Sequence, residues 1–164
     1  MKYTSHLSLR PRKDTDTDFL KLLYETSRDE EFQYVEWVNS EERTKFFNQQ
    51  FEAQQLHFLN NYDNLNYDIV VLHSTDIGRL VLHRTDSHVH CVDVIILPEY
   101  RKQGIGHYIM TQITNELDQK NITSSLYFEK TKPYLEKLYS SYGFVTTKDI
   151  GTHIYMERPK KLAM

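Results

Sequence analysis

The stretch that decides the fold is Val94-Ile95-Ile96-Leu97-Pro98-Glu99-Tyr100-Arg101-Lys102-Gln103-Gly104-Ile105-Gly106. Its first part is a short apolar run rich in β-branched side chains, which reads as a buried strand. A proline turn follows, then glycines at 104 and 106. Next comes an amphipathic helix in which Ile105, Ile109, Ile113 and Leu117 recur four residues apart. Glycines at such a place let the main chain approach a ligand without interference from a Cβ. The helix start adds N–H groups that lack intrahelical acceptors, together with the positive end of the helix dipole. Strand, glycine loop and helix N-terminus together predict a cradle for a pyrophosphate. A lone Gly-x-Gly is equally an ordinary strand-to-helix turn; the longer string narrows the reading.

Upstream, Ile69-Val70-Val71-Leu72, Leu80-Val81-Leu82 and Val92-Asp93-Val94-Ile95-Ile96-Leu97 are strand-like runs parted by Ser74-Thr75-Asp76 and Thr85-Asp86-Ser87. Val71–Asp76 and Val81–Asp86 nearly repeat at a spacing of ten and stop after two copies. That predicts two hairpins of an antiparallel meander, not a solenoid. Before them, Ser5–Arg10 alternates as a strand with Leu7 and Leu9 on one face. Asp14-Thr15-Asp16-Thr17-Asp18 offers N-cap candidates, and Phe19, Leu22, Leu23 and Thr26 mark a first helix ending near Arg28. Glu30–Val38 reads as irregular. Asn39 with Glu42 resembles a capping box, opening a second helix to about Asn60 with Phe47, Phe51 and Leu56 among its apolar positions.

Downstream, the helix that follows the loop ends near Lys120-Asn121, and Ser125–Phe128 is a strand. Pro133 opens a helix with the stripe Leu135, Leu138, Tyr139 and Tyr142, and Gly143 stops it. Phe144–Ile150 and Thr152–Arg158 form a closing hairpin around Gly151. The expected fold class is α/β (α+β), a single domain over residues 1–164 in the order β-α-α-β-β-β-α-β-α-β-β. Its central sheet is mixed, mostly antiparallel, and flanked by about four helices.

A chain of 164 residues with 39% apolar and 26% charged residues fits one soluble globular domain. No apolar run exceeds four residues, whereas a membrane span needs about 20. The opening Met1-Lys2-Tyr3-Thr4-Ser5-His6 has no apolar h-region of a secretory signal. A single cysteine, Cys91, cannot pair within the chain, which points to a reducing cytoplasm and makes the Asn121-Ile122-Thr123 sequon incidental. The net charge of −3 argues against nucleic acid as a partner. From Asp14 to Glu52 there are eleven acidic and four basic residues, a balance of −7 that leaves +4 for the remainder. This describes either two well-solvated helices or an acidic lobe that draws in a cationic amine while the basic remainder receives a phosphorylated ligand.

On these residues the chain resembles the GCN5-related N-acetyltransferase (GNAT) family. Arg101-x-x-Gly104-x-Gly106 is similar to that family's Arg/Gln-x-x-Gly-x-Gly/Ala loop. Leu138-Tyr139-Ser140-Ser141-Tyr142-Gly143-Phe144 is similar to the Leu-Tyr-x-x-x-Gly-Phe that ends its last helix. The 37 residues from Arg101 to Leu138 leave room for one helix and one strand between the two motifs. Less specifically, Leu9–Pro11, Tyr24–Arg28, Gln50–Gln54 and Ile77–Leu80 look like a bacterial subgroup of uncertain substrate. The resemblance implies acetyl-coenzyme A as co-substrate and no metal. It assigns the pyrophosphate to Arg101, Lys102, Gln103, Gly104, Ile105 and Gly106, and the acetyl and pantetheine groups to the strand Ile95, Ile96 and Leu97. One position departs from the family. Where it often carries an Asn seven residues before the helix tyrosine, this chain has Lys132, taken here as a phosphate contact.

Acyl transfer to an amine needs a neutral nucleophile, a polarised thioester carbonyl and a proton for the departing thiolate. The resemblance places Tyr139 at the family's general-acid position, although its stripe would equally make it a core residue. For the base, His90 lies eleven residues before Arg101, where several members carry a Glu or His, and imidazole accepts protons near neutrality. His90 is read as sharing a strand face with Val92, Val94 and Ile96, with Asp93, the alternative base, pointing the other way. A water chain is the third option. His83, His88 and His90 lack the Cys or carboxylate that would complete a recognisable metal-ligand spacing. Tyr24, Ser27, Arg28, Glu31 and Trp37 are acceptor-site candidates, equally readable as a packed connection. The expected partner is an amine-bearing small molecule or peptide, with no membrane and with room for a homodimer. The rival reading is a non-catalytic acyl-CoA-binding regulatory domain.

Overall fold

Buried apolar residues come in two patterns, one on each side of a sheet, and the helices follow from them. A computed structural model describes residues 4–161, so Met1–Tyr3 of the opening segment and the last three residues lie outside the described residues. The strands are β1 (Leu7–Pro11), β2 (Asn66–Leu72), β3 (Thr75–Arg84), β4 (His88–Ile96), β5 (Thr123–Glu129), β6 (Val145–Asp149) and β7 (His153–Arg158). The α-helices are α1 (Thr17–Ser27), α2 (Asp29–Phe32), α3 (Ser40–Asn61), α4 (Ile105–Lys120) and α5 (Tyr134–Ser140). The sheet runs β1-β2-β3-β4-β5-β7-β6, and its β4–β5 pair is parallel while the others are antiparallel. The mixed, mostly antiparallel sheet and the two-hairpin meander are as expected. The helices number five among the described residues, because part of Glu30–Val38, read as irregular, lies in the single-turn α2.

One core lies under α4 and includes Ile105, Ile109, Ile113 and Leu117, the stripe that the fourfold spacing predicts, with Leu80, Leu126 and Phe144. The other lies under α1 and α3 and holds Leu20, Leu23, Tyr24, Phe47 and Phe51 against Ile69, Ile95 and Leu97. The face of α1 is therefore set one position on from the expected stripe: Leu20, Leu23 and Tyr24 are buried and Leu22 is exposed. Asp16 does not cap α1 by a side-chain bond. It takes two hydrogen bonds from Arg10 and one from Lys13 N, all at 2.8 Å, and the Arg10 guanidinium holds its carboxyl down to about 2. Tertiary pairing of the acid thus outweighs capping. Asn39 does cap α3, accepting from Glu42 N at 2.8 Å. Leu9, Leu56 and Leu138, expected to face inward, are exposed. Leu9 lies on the edge strand β1, and the buried turns of α3 are carried by Phe47, Phe51 and Phe58.

Candidate active site

The site begins with an irregularity in β4. Val81 pairs with Asp93 and Leu82 with Cys91, so Val92 is an extra residue, a β-bulge. An inserted residue reverses the alternation of side chains beyond it. His90 therefore shares a face with Asp93, not with Val94 and Ile96. Before the bulge, Val89 and Cys91 join the α4 core, and after it Val94 and Ile96 do so. Asp93, Ile95 and Leu97 face α1 and α3. The expected opposition of His90 and Asp93 is thus corrected by one extra residue.

The second feature is a gap. β4 and β5 pair only from His88↔Thr123 to Cys91↔Leu126. Beyond that, β4 continues against β3 and β5 against β7. Parted strands leave a cleft of about 420 Å³ through the sheet, walled by Met110, Leu135 and Tyr139 on one face and by Arg28, Gln54 and Asp93 on the other. A hollow of about 600 Å³ beside Arg12, Tyr62 and Tyr67 is larger, but it is lined from α3 and one sheet edge and involves no parted strands.

Tyr139 is placed by α5, whose end is turned back by Gly143 at φ +93°, a conformation that favours glycine. Its ring sits 6.4 Å from Phe128 and 6.3 Å from Phe144. Burial, then the nearby Cys91 and Asp93, pushes its phenol up to about 12. It is both core and cleft wall. Asp93 receives Arg79 Nε at 2.7 Å, and Arg79, fully buried on β3, also donates to Tyr67 and Gln54. Across the cleft, Glu129 lies 3.8 Å from Arg28 and 4.0 Å from Lys132.

Just past the C-terminal end of β4, Arg101 turns its Nε onto Ile96 O at 2.7 Å and ties the loop to the strand. Lys102 and Gly104 adopt positive φ, +58° and +85°, which folds the loop beneath the start of α4. Gln103 bonds Glu99 O within the loop. The first i→i−4 bond runs from Tyr108 N to Gly104 O, so the amides of Ile105, Gly106 and His107 precede the helical ladder. A Cβ on Gly106 would meet nothing within 4 Å. No packing among the described residues demands glycine there, whereas a ligand lying over those amides would. The loop, the open amides and the parted strands therefore fit the diphosphate and slender arm of coenzyme A.

The other expected residues fall in different places. Ile95, Ile96 and Leu97 are buried on the last part of β4 and in the turn after it. His90 is outside the cleft lining; its ring stacks on Tyr62 and meets the edge of Tyr127, which does line it. Burial, with His88 and His83 nearby, lowers its pKa to about 4. Arg28 and Lys132 line the cleft. Glu31 pairs with Arg28 at 3.4 Å, and Ser27 donates to Tyr24 O in its own helix. Tyr24 is buried against Phe51, and Trp37 packs among Phe32, Phe46 and Phe47. Among the described residues no group of three or more His, Cys, Asp or Glu side chains could hold a metal, and no helix is long and apolar enough to cross a membrane.

No role is expected from the sequence for Arg79, Gln54, Tyr127 or Glu129. Arg79 had a signal: an arginine inside the apolar run Ile77–Leu82 must be paired if the strand is buried. The others join the site only through tertiary contacts.

Residues 26–153 match the family of the acetyltransferase (GNAT) domain. Comparison with curated protein sequences finds no match. Among solved structures, the chain is similar to the PaiA N-acetyltransferase of Thermoplasma acidophilum in complex with coenzyme A. The two are 18% identical over 93% of this chain and 98% of that one, with a TM-score of 0.68. It is also similar to the ribosomal-protein-S18-alanine N-acetyltransferase of Escherichia coli, at 14% identity over 96% of each chain and a TM-score of 0.64. A GNAT family acetyltransferase of Elizabethkingia anophelis with acetyl-CoA bound is 13% identical over 95% of this chain and 99% of that one, with a TM-score of 0.60. At such identities the likeness speaks for the fold. The family match, spanning most of the chain and both motifs, carries the assignment: this protein belongs to the GNAT acetyltransferase family.

Proposed function

We propose that the chain is an N-acetyltransferase that moves an acetyl group from acetyl-coenzyme A to a primary amine of a small molecule or peptide by direct attack. The observation that carries this reading is the parting of β4 from β5 beyond Cys91, with Tyr139 on its wall and open amides at the nearby start of α4. Two of the related structures hold coenzyme A or acetyl-CoA, and one is named for acetylation of a protein alanine.

When bound, the thioester supplies an acyl group activated for attack. The amides of Ile105, Gly106 and His107 hold the diphosphate, and Lys132 reaches a phosphate from the cleft wall. Tyr139 keeps its proton throughout the physiological range, because burial raises its pKa to about 12, and gives it to the departing thiolate. Asp93 is fixed by Arg79 on Oδ2 and offers its other oxygen to the incoming ammonium. His90, neutral because burial disfavours its charged form, takes the amine's proton through water beside Tyr127. The acceptor enters past Arg28 and Glu129, with Glu31 behind them, where the acidic lobe favours a cation.

A thiol-release assay with acetyl-CoA against primary amines and short peptides tests the reading, with turnover expected for at least one of them. Inertness toward all, with calorimetry still detecting cofactor binding, would leave a non-catalytic acyl-CoA-binding domain.

A further inference from the structure

We propose that His90, Ser125 and His88 form a directed proton relay that carries the amine's proton away from the cleft to the edge of the β4–β5 pair. The inference rests on the reading that an amine loses its proton beside His90; Ser125 and His88 act through His90 as positioning and relay residues.

The parallel register sets His90 opposite Ser125 and His88 opposite Thr123. His88 and His90 lie two apart on one strand, so both rings reach the same hydroxyl. Ser125 Oγ is 2.7 Å from His88 Nε2 and 2.8 Å from His90 Nδ1, and the residue is 1% exposed. A hydroxyl has one proton, so it donates to one ring and must accept from the other. The direction follows from the next link. His88 Nδ1 lies 2.6 Å from Thr123 Oγ1, and Thr123 Oγ1 donates to Ser87 O at 3.3 Å. A carbonyl only accepts, and with the Thr123 proton placed on that bond His88 Nδ1 carries its own. His88 Nε2 is then bare and accepts from Ser125, and Ser125 accepts from His90 Nδ1–H. His90 Nε2 is left unprotonated. The opposite polarity loses the bond from Thr123 to Ser87.

The step balances. The N–H bond of the attacking amine breaks and its electron pair stays on nitrogen. Through the water beside Tyr127, which takes that proton and gives up one of its own, a proton joins His90 Nε2. His90 Nδ1–H passes to Ser125 Oγ, and the former Ser125 proton joins His88 Nε2. Nothing is oxidised or reduced, and the charge ends on His88. His90 is a poor place to keep it, being buried with His88 and His83 nearby. Burial and His83 work against charge on His88 as well, but there the Glu157 carboxylate, on the residue paired across from Ser125, favours it. Tyr62 and Tyr127, ring centroids 5.9 and 5.3 Å away, hold the His90 imidazole in register.

The test is imidazole ¹⁵N NMR on the full chain at neutral pH, joined to kinetics. Both His88 and His90 are expected as Nδ1–H tautomers, and Ser125→Ala should move His90 away from that form. Ser125→Ala and His88→Gln should each lower kcat about tenfold or more with KM unchanged and alter the pH profile of kcat. His88→Gln is the sharper variant, since glutamine still accepts from Ser125 but cannot store a proton. Either ring found as Nε2–H in the parent overturns the direction. An active parent whose two variants keep its kcat and pH profile overturns the relay. A parent inert toward every amine instead overturns the acetyl-transfer reading on which the relay depends, whatever the tautomers.

Discussion

Arg79 Nε donates to Asp93 Oδ2 at 2.7 Å from a side chain with no exposed surface, and the acid it holds lines the cleft. The fold thus buries a cation to fix a carboxylate where the strands part. Tyr67 and Gln54 accept from the other two guanidinium nitrogens, so each of the three nitrogens has a partner.

Removing one partner strands the other. Asp93→Leu should lower stability by about 3–5 kcal/mol, because a buried guanidinium loses its counter-charge. The double variant Asp93→Leu, Arg79→Met should recover much of that loss while remaining inactive. Urea unfolding reads the stability, and a single variant as stable as the parent would refute the pairing argument.

Gly106 can be enlarged without disturbing the fold, since a Cβ there meets open space. Gly106→Leu should leave the free protein as stable or raise stability by up to about 1 kcal/mol through helix propensity. KM for acetyl-CoA should rise roughly tenfold, about 1.4 kcal/mol of binding. Unchanged KM would remove the diphosphate from this loop.

Tyr139→Phe keeps the ring contacts with Phe128 and Phe144. Turnover should fall about 10²-fold or more, the range of general acid catalysis, with cofactor affinity by calorimetry unchanged. A variant as active as the parent would make Tyr139 a core residue only.

Stability should depend on pH in two windows. The folded pKa of His90 is lowered to about 4 from an ordinary 6.5, so the unfolded chain binds the extra proton between them. Its stabilising contribution is complete above about 6.5 and is lost as pH falls toward 4. Tyr139 is raised from 10 to about 12, so its contribution is complete below pH 10 and lost as pH rises toward 12. Urea midpoints measured against pH should show the acid loss reduced in His90→Gln and the alkaline loss reduced in Tyr139→Phe. Variant curves parallel to the parent's would contradict both assignments.

The features legible along the chain are local ones. The stripe Ile105, Ile109, Ile113, Leu117 is buried as spaced, Asn39 caps its helix, and the glycines at 104, 143 and 151 take the positive φ their turns require. Each is legible because helical periodicity, capping and left-handed turns depend on residues a few positions apart. Contacts between residues distant in the chain fixed the rest. The extra residue Val92 turns His90 and Asp93 to one face, and the partner strands, not the local pattern, place that bulge. The face of α1 moved to Leu20 and Tyr24 because the second core, not propensity, selects which side is covered. The cleft exists because β4 and β5 stop pairing at Cys91 and Leu126, residues far apart in the chain that meet only after folding.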